Sequence, residues 1–330
     1  MSDLSALVWN DVVAGDFASA ISRTRQHTPS DLLEDPQLHA FWSFIEGARA
    51  PRTEAVAAQR IGRLFAAYST YWVNAVLGTD THEALELELF QKLEHIVGVR
   101  CSADWDILEP ALARFVERDA VNALFGRTLP LRECMLWSSD HVVEYEIDLP
   151  LELVNLPVRM LEGFYTKGWC HTITGGARGT GGWVEDGQLC CVADAWDTRH
   201  ESFRVSYLAH EAQHHSDRIK FAWLEQPELE YRAKLTELAL ANETLDHLIE
   251  RFSRSHRDVS GKGLLPQRTQ SPHILSEYWL FEDLTSKLGE GWSRPFARDS
   301  EELKRACTEL LLESSAPCWR GCLDGETDRA

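Results

Sequence analysis

Positive charge is in short supply in this chain. Of 330 residues, 33 are Lys or Arg and 52 are Asp or Glu, a formal net charge of −19 with histidine neutral. So acidic a surface repels phosphodiester backbones and anionic headgroups, which argues against nucleic acid or a membrane surface as the main partner. Long apolar runs are lacking as well. None approaches the roughly 18–20 residues that a transmembrane helix needs. From Met1 to Ala18 the chain holds Asp3, Asp11 and Asp16 and no basic residue ahead of its apolar positions, which does not fit a secretory signal. The eight cysteines are therefore read as reduced thiols, and the expected location is the cytoplasm.

Other absences are local. No Lys-Ser/Thr follows the glycine-rich run Thr174–Gly182, and the next stretch reads as a strand, so no helix N-terminus faces a phosphate. A connecting loop is expected there, able to act as a flap. Val13–Ala20 is faintly similar to part of a tetratricopeptide repeat, but no second copy follows at a fixed period. Cys318 and Cys322 have no second Cys/His pair nearby, so a zinc knuckle is not expected. Cys190 and Cys191, adjacent on a strand, point to opposite faces and suit core packing.

What is present is material for a large core, with 44% hydrophobic residues and twelve tryptophans. Apolar positions three and four apart predict helices over Leu4–Thr24, Gln37–Ala48, Thr53–Leu77, Glu83–Val97 and Trp105–Arg118. Breaks fall at Thr28-Pro29-Ser30, Glu34-Asp35-Pro36, Pro51 and Gly78-Thr79-Asp80. Near residue 128 the pattern changes. His141–Asp148 alternates like a strand, Leu151–Arg159 is extended up to a break at Pro157, and Gly163–Thr174 is rich in aromatic and β-branched residues. Gly182–Ala193 reads as a hairpin turning at Glu185-Asp186-Gly187-Gln188. Beyond residue 226, one long helix is expected from Glu228 to about Arg254, then a polar loop over Ser255–Ser271. Helices over Pro272–Leu288 and Glu301–Glu313 and a polar tail from Ser314 follow. The expected class is α+β, predominantly helical. A helical region, 1–125, precedes a domain over 126–313 that holds a small, mostly antiparallel sheet, and 314–330 is a flexible tail. The N-terminal helices are expected to pack without chemistry of their own, with a protein partner left open.

Between the hairpin and the long helix lies Tyr207-Leu208-Ala209-His210-Glu211-Ala212-Gln213-His214-His215-Ser216-Asp217. On a helix His210 and His214 stack on one face, where two imidazoles can reach one zinc ion at about 2.0–2.1 Å. Glu211 sits beside them, placed to take a proton from a metal-bound water. On a wheel of about 100° per residue, Val205, Leu208, Ala212 and Ile219 form an apolar stripe nearly opposite the histidines, which predicts a helix lining a cleft. His215, about 100° round from His214, is read as non-ligating.

A catalytic zinc usually takes three protein ligands. Lys220 occupies the position where a metzincin has its third histidine. If the motif helix ends near Lys220 and the next starts near Pro227, an antiparallel return brings about residues 230 to 238 beside His214. Glu230 and Glu237 both qualify.

Over residues 180–240 the chain resembles the gluzincin zinc metallopeptidases, in several families of which the third ligand lies in Glu-x-x-Ala-Asp or Glu-x-x-Ala-Asn. Here the stretch is Glu230-Tyr231-Arg232-Ala233-Lys234, so Lys234 stands where the family has an acid or amide. The resemblance implies a zincin-like core of sheet, motif helix and glutamate helix, with one catalytic zinc on His210, His214 and Glu230. Asp217 or Glu237 is left to steady a ligating histidine. It further implies a peptidase with Glu211 as general base, a peptide substrate along a strand such as Gly182–Val192, and a later His or Tyr as oxyanion donor. His273 is the expected donor, with Tyr278 and Tyr231 behind it. Two alternatives share these residues. One is an inactive scaffold that binds a partner, and the other is a metal hydrolase acting on a non-peptide amide or ester.

Overall fold

The computed structural model describes residues 2–47, 59–128, 130–185, 187–260, 272–293 and 299–316. Pro51, Asp186, most of the Ser255–Ser271 loop and the tail from 317, with Cys318 and Cys322, lie outside the described residues. The fold is mixed, dominated by helices, with five strands in one sheet of order β1-β2-β3-β5-β4. Two compact units divide the chain, one of residues 1–141 and 160–180, the other of 142–159 and 181–330.

The first unit holds α1 (Ser2–Ala14), α2 (Phe17–Arg25), α3 (Pro29–Leu32), α4 (Pro36–Glu46), α5 (Gln59–Leu77), α6 (His82–Val97) and α7 (Trp105–Glu117). β1 (Asn122–Thr128) pairs antiparallel with the start of β2 (Leu131–Leu149), and α8 (Trp169–Ile173) closes the unit. Leu4–Thr24 is two helices, not one. Gly15 adopts φ +79, and the Asp16 carboxylate accepts from Ser19 N to start α2. Tyr68, Trp72, Leu89, Leu112 and Trp169 share one buried core. β3 (Glu152–Lys167), like β2, has residues in both units. It runs straight through Pro157, whose fixed φ is compatible with an extended strand.

The second unit carries the hairpin of β4 (Gly182–Glu185) and β5 (Gln188–Val192), with β4 ending the sheet. Helices follow as α9 (Glu201–Phe203), a π-helical turn (Arg204–Ala209), α10 (His210–Lys220) and α11 (Gln226–Leu240), then α12 (Leu245–Ser260), α13 (Pro272–Leu288) and α14 (Ser300–Glu313). α11 is its axis, with every residue from Glu228 to Leu238 buried. Tyr231, Leu235 and Leu238 pack with Phe252, Leu280, Leu303 and Leu311 in a second core.

The single long helix expected from Glu228 to about Arg254 is broken in two. At Ala241 the backbone turns extended, with ψ 142. The buried Glu201 carboxylate accepts from the backbone N–H groups of Asn242 and Thr244 and from the Thr244 hydroxyl. These donors outweigh the cost of burial and hold the Glu201 carboxyl below its ordinary pKa. A partner some forty residues upstream therefore ends one helix and starts the next. Ser314 is buried and bonded to Arg232.

Candidate metal centre

The site grows out of the π-helical turn. One extra residue in this turn offsets the faces of α9 and α10. Within it the Tyr207 hydroxyl donates to Cys190 O at 2.9 Å, pinning the turn to β5. Gly182 permits this approach, because a Cβ there would lie 2.5 Å from Cys190 O and 2.6 Å from the Tyr207 hydroxyl. α10 then begins at His210 itself.

His210 and His214 stand one turn apart with Nε2 atoms separated by 3.1 Å. Their side chains are 13% and 6% exposed, so the pair is more enclosed than a surface helix face would leave it. Ile219, placed with the apolar stripe by the wheel, is 70% exposed. It falls in the last turn of α10, beyond the buried Ala212 on the same face.

α11 returns beside α10 and brings in Glu230. Its Oε1 lies 3.5 Å from His214 Nε2 and its Oε2 lies 3.7 Å from His210 Nε2. Among the described residues His210, His214 and Glu230 form the one group able to hold a metal ion, with ligand atoms within 4.8 Å of one another. Bonds of about 2.0–2.1 Å in tetrahedral array require ligand atoms roughly 3.3–3.4 Å apart, so these side chains fit a single ion with small adjustment.

Glu237 does not join that group. Its fully buried carboxylate accepts from His210 Nδ1 at 2.8 Å and pairs with Arg251 at 3.1 Å. The proton thus sits on Nδ1 and the lone pair of Nε2 turns toward Glu230, the tautomer a ligating imidazole needs. Burial alone would push the Glu237 carboxyl up, but His210 and Arg251 hold it low. Burial likewise opposes charge on His210, yet Glu237 foremost raises its pKa. Burial lowers that of His214, whose Nδ1 has no hydrogen-bond partner among the described residues. Asp217 steadies neither histidine. It accepts from Gln213 at 2.9 Å and pairs with Arg232 at 2.8 Å, both deep in the unit.

Lys234, where the sequence departs from the gluzincin pattern, is a buried ammonium. It donates to Ser276 Oγ at 2.8 Å and lies 3.4 Å from Glu230 Oε2 and 3.5 Å from Glu277. His273 Nδ1 also donates to Glu230 Oε2, at 2.8 Å. Burial raises the Glu230 carboxyl, but hydrogen bonds from His214 and His273 and the Lys234 charge hold it far below the usual range. Oε2 is therefore engaged, and Oε1 is the oxygen left to the histidines.

Of these side chains His210, Lys234, Glu237 and His273 line a cleft of about 380 Å³, with Gly181, Gly182, Trp196, Tyr207, Glu211, Arg251 and Glu277. Glu211 is partly exposed and makes no hydrogen bond among the described residues, so its oxygens are free to take a proton. Of the three expected oxyanion donors only His273 lines the cleft, with its side chain 63% exposed. Tyr231 is fully buried and donates to Asp283, and Tyr278 stacks on His256. Sequence reasoning missed Arg251 and Glu277. The first lies beyond the unforeseen break before α12, and the second carries no spacing signal that ties it to the motif.

No family model, curated protein or solved structure matches the chain.

Proposed function

We propose that this chain is a zinc-dependent hydrolase of peptide bonds, of gluzincin type. One observation carries the proposal. His210, His214 and Glu230 converge at 3.1–3.7 Å, beside an unencumbered glutamate in an open cleft. Two imidazoles and one carboxylate suit zinc. A zinc ion held there supplies a Lewis acid that polarises a carbonyl and makes water more acidic. Glu211 takes the proton of the attacking water and delivers it to the leaving amine. Glu237 fixes the His210 tautomer, and Arg251 and Lys234 place positive charge at the cleft wall. β4 ends the sheet, and Gly182 at its start lines the cleft, which is where an extended peptide would lie. His273 serves the developing oxyanion from the rim.

Elemental analysis tests the first half. Zinc is expected at one per chain in wild type and to be absent from His210→Ala and Glu230→Ala; wild type without zinc sinks the proposal. For the second half, Glu211→Gln should keep its metal and lose peptide cleavage by about 10²–10⁴-fold. Cleavage that survives the change removes Glu211 from the mechanism.

A second reading rests on Lys234 and His273, which already satisfy Glu230 without a metal. In that reading the second unit is a metal-free scaffold for a protein partner, and the same zinc measurement separates the two.

A further inference from the structure

Glu211 borders two cavities, not one. Beyond the polar cleft lies a second, of about 260 Å³, lined by Leu156, Val184, Leu189, Ile219, His215 and Arg218 together with Gly187 and Glu211. Its walls come from β3, the β4–β5 hairpin and the last turns of α10. Leu156 and Leu189 are buried, whereas Val184 is 46% and Ile219 is 70% exposed. Two aliphatic side chains thus stand open to water at a concave place, which disfavours leaving it unfilled.

The basic residues at this pocket set its chemistry. Arg218 is exposed, His215 is partly so, and neither has an ion pair or hydrogen bond among the described residues. Arg251, the arginine that lines the polar cleft, is by contrast paired with the Glu237 carboxylate. An unpaired guanidinium beside an aliphatic pocket complements a ligand that joins an apolar side chain to a carboxylate. In a peptide, those two features meet at the C-terminal residue.

We infer that this pocket binds the apolar C-terminal residue of a peptide, with its side chain against Leu156, Val184, Leu189 and Ile219 and its carboxylate on Arg218. The inference rests on the hydrolase reading and deepens it. With the terminal residue seated here, the bond to its own nitrogen runs past Glu211 toward the polar cleft. Water adds across that C–N bond; its hydroxyl stays on the acyl carbon, giving the shortened chain a new carboxylate, and the proton passes through Glu211 to the departing amine. The products are a free apolar amino acid and a peptide one residue shorter.

Binding and cleavage test it separately. In the first arm, 3-phenylpropanoate and 3-phenylpropanol are titrated into the zinc-loaded chain by calorimetry. The acid should bind roughly two- to five-fold more tightly than the alcohol, the scale of one exposed charge pair. Arg218→Met should erase that margin, and Val184→Asp should weaken both ligands. A margin that survives Arg218→Met places the carboxylate elsewhere, on the metal or in the polar cleft, and overturns the assignment. Equal binding of acid and alcohol to wild type overturns it as well. In the second arm, a blocked peptide ending in Ala-Phe is offered as free acid and as amide. The acid should be cleaved faster in wild type and at the same rate as the amide in Arg218→Met. Cleavage of both forms alike by wild type overturns this inference and leaves the hydrolase reading standing. Failure to cleave either, with the binding margin intact, overturns the hydrolase reading and leaves the pocket assigned.

Discussion

At the scale of single residues, the burial of charge organises the molecule. Glu237 is fully buried and spends one oxygen on His210 Nδ1. Loss of such a partner typically costs a metal site 10–100-fold in affinity, so Glu237→Gln should lower zinc affinity by about that factor. Competition with a chromophoric chelator measures it, and unchanged affinity would strip Glu237 of the role. In the first unit, burial raises the Glu133 carboxyl to about 7 against the donated N–H groups of Cys134 and Trp169. The sign follows from linkage. Below pH 4.5 both folded and unfolded chains hold the proton. As the pH rises toward 7 the unfolded chain releases it first, so stability falls across that window and stays lower above it. The loss is on the order of 3 kcal/mol. Glu133→Gln, which keeps the acceptor oxygen, should match wild type in acid and exceed it by most of that margin at pH 8. Denaturant midpoints at pH 3.5 and pH 8 check this, and parallel curves would refute it.

At the scale of elements, local signals were legible and distant ones were not. The four-residue spacing of His210 and His214 marked α10, and the antiparallel return brought Glu230 to them, since both inferences need only neighbouring chain. The π turn is silent in sequence because Val205 and Leu208 satisfy an α-helical pattern equally well. The break between α11 and α12 is silent because its cause, Glu201, lies on another element. The charges of α11 are the least legible part. Glu228, Glu230, Arg232, Lys234 and Glu237 are all buried; Glu230 and Lys234 pair with each other, while Arg232 and Glu237 depend on Asp217 and Arg251 of other helices. Arg232 shows the arrangement best, joining Asp217 of α10 to Leu311 O of α14 and to Ser314. Arg232→Met leaves Asp217 charged and unpaired, which should cost about 3–5 kcal/mol. Replacing Asp217 by Asn in the same chain should recover part of it, and thermal unfolding of the single and double variants measures both.

At the scale of the whole molecule, the His210–His214–Glu230 group that could hold a metal, the cleft and the apolar pocket all belong to the second unit. Among the described residues no helix is long and apolar enough to cross a membrane. A ligand that binds only the folded form stabilises it by mass action. Zinc should therefore slow amide exchange in α10, α11 and α13 and leave α1–α7 unchanged. Hydrogen-exchange mass spectrometry with and without zinc tests this, and protection spread evenly over both units would mean that they fold as one.

The bond network of Arg232 also sets a timetable for biosynthesis. The motif histidines leave the ribosome a hundred residues before Leu311 and Ser314, to which the Arg232 guanidinium donates. Until those last acceptors emerge, α11 must keep an unsatisfied cation out of its core, and the frame around Glu230 stays unfinished. A nascent chain of this protein completes its candidate centre only after Leu311 and Ser314 have left the ribosome.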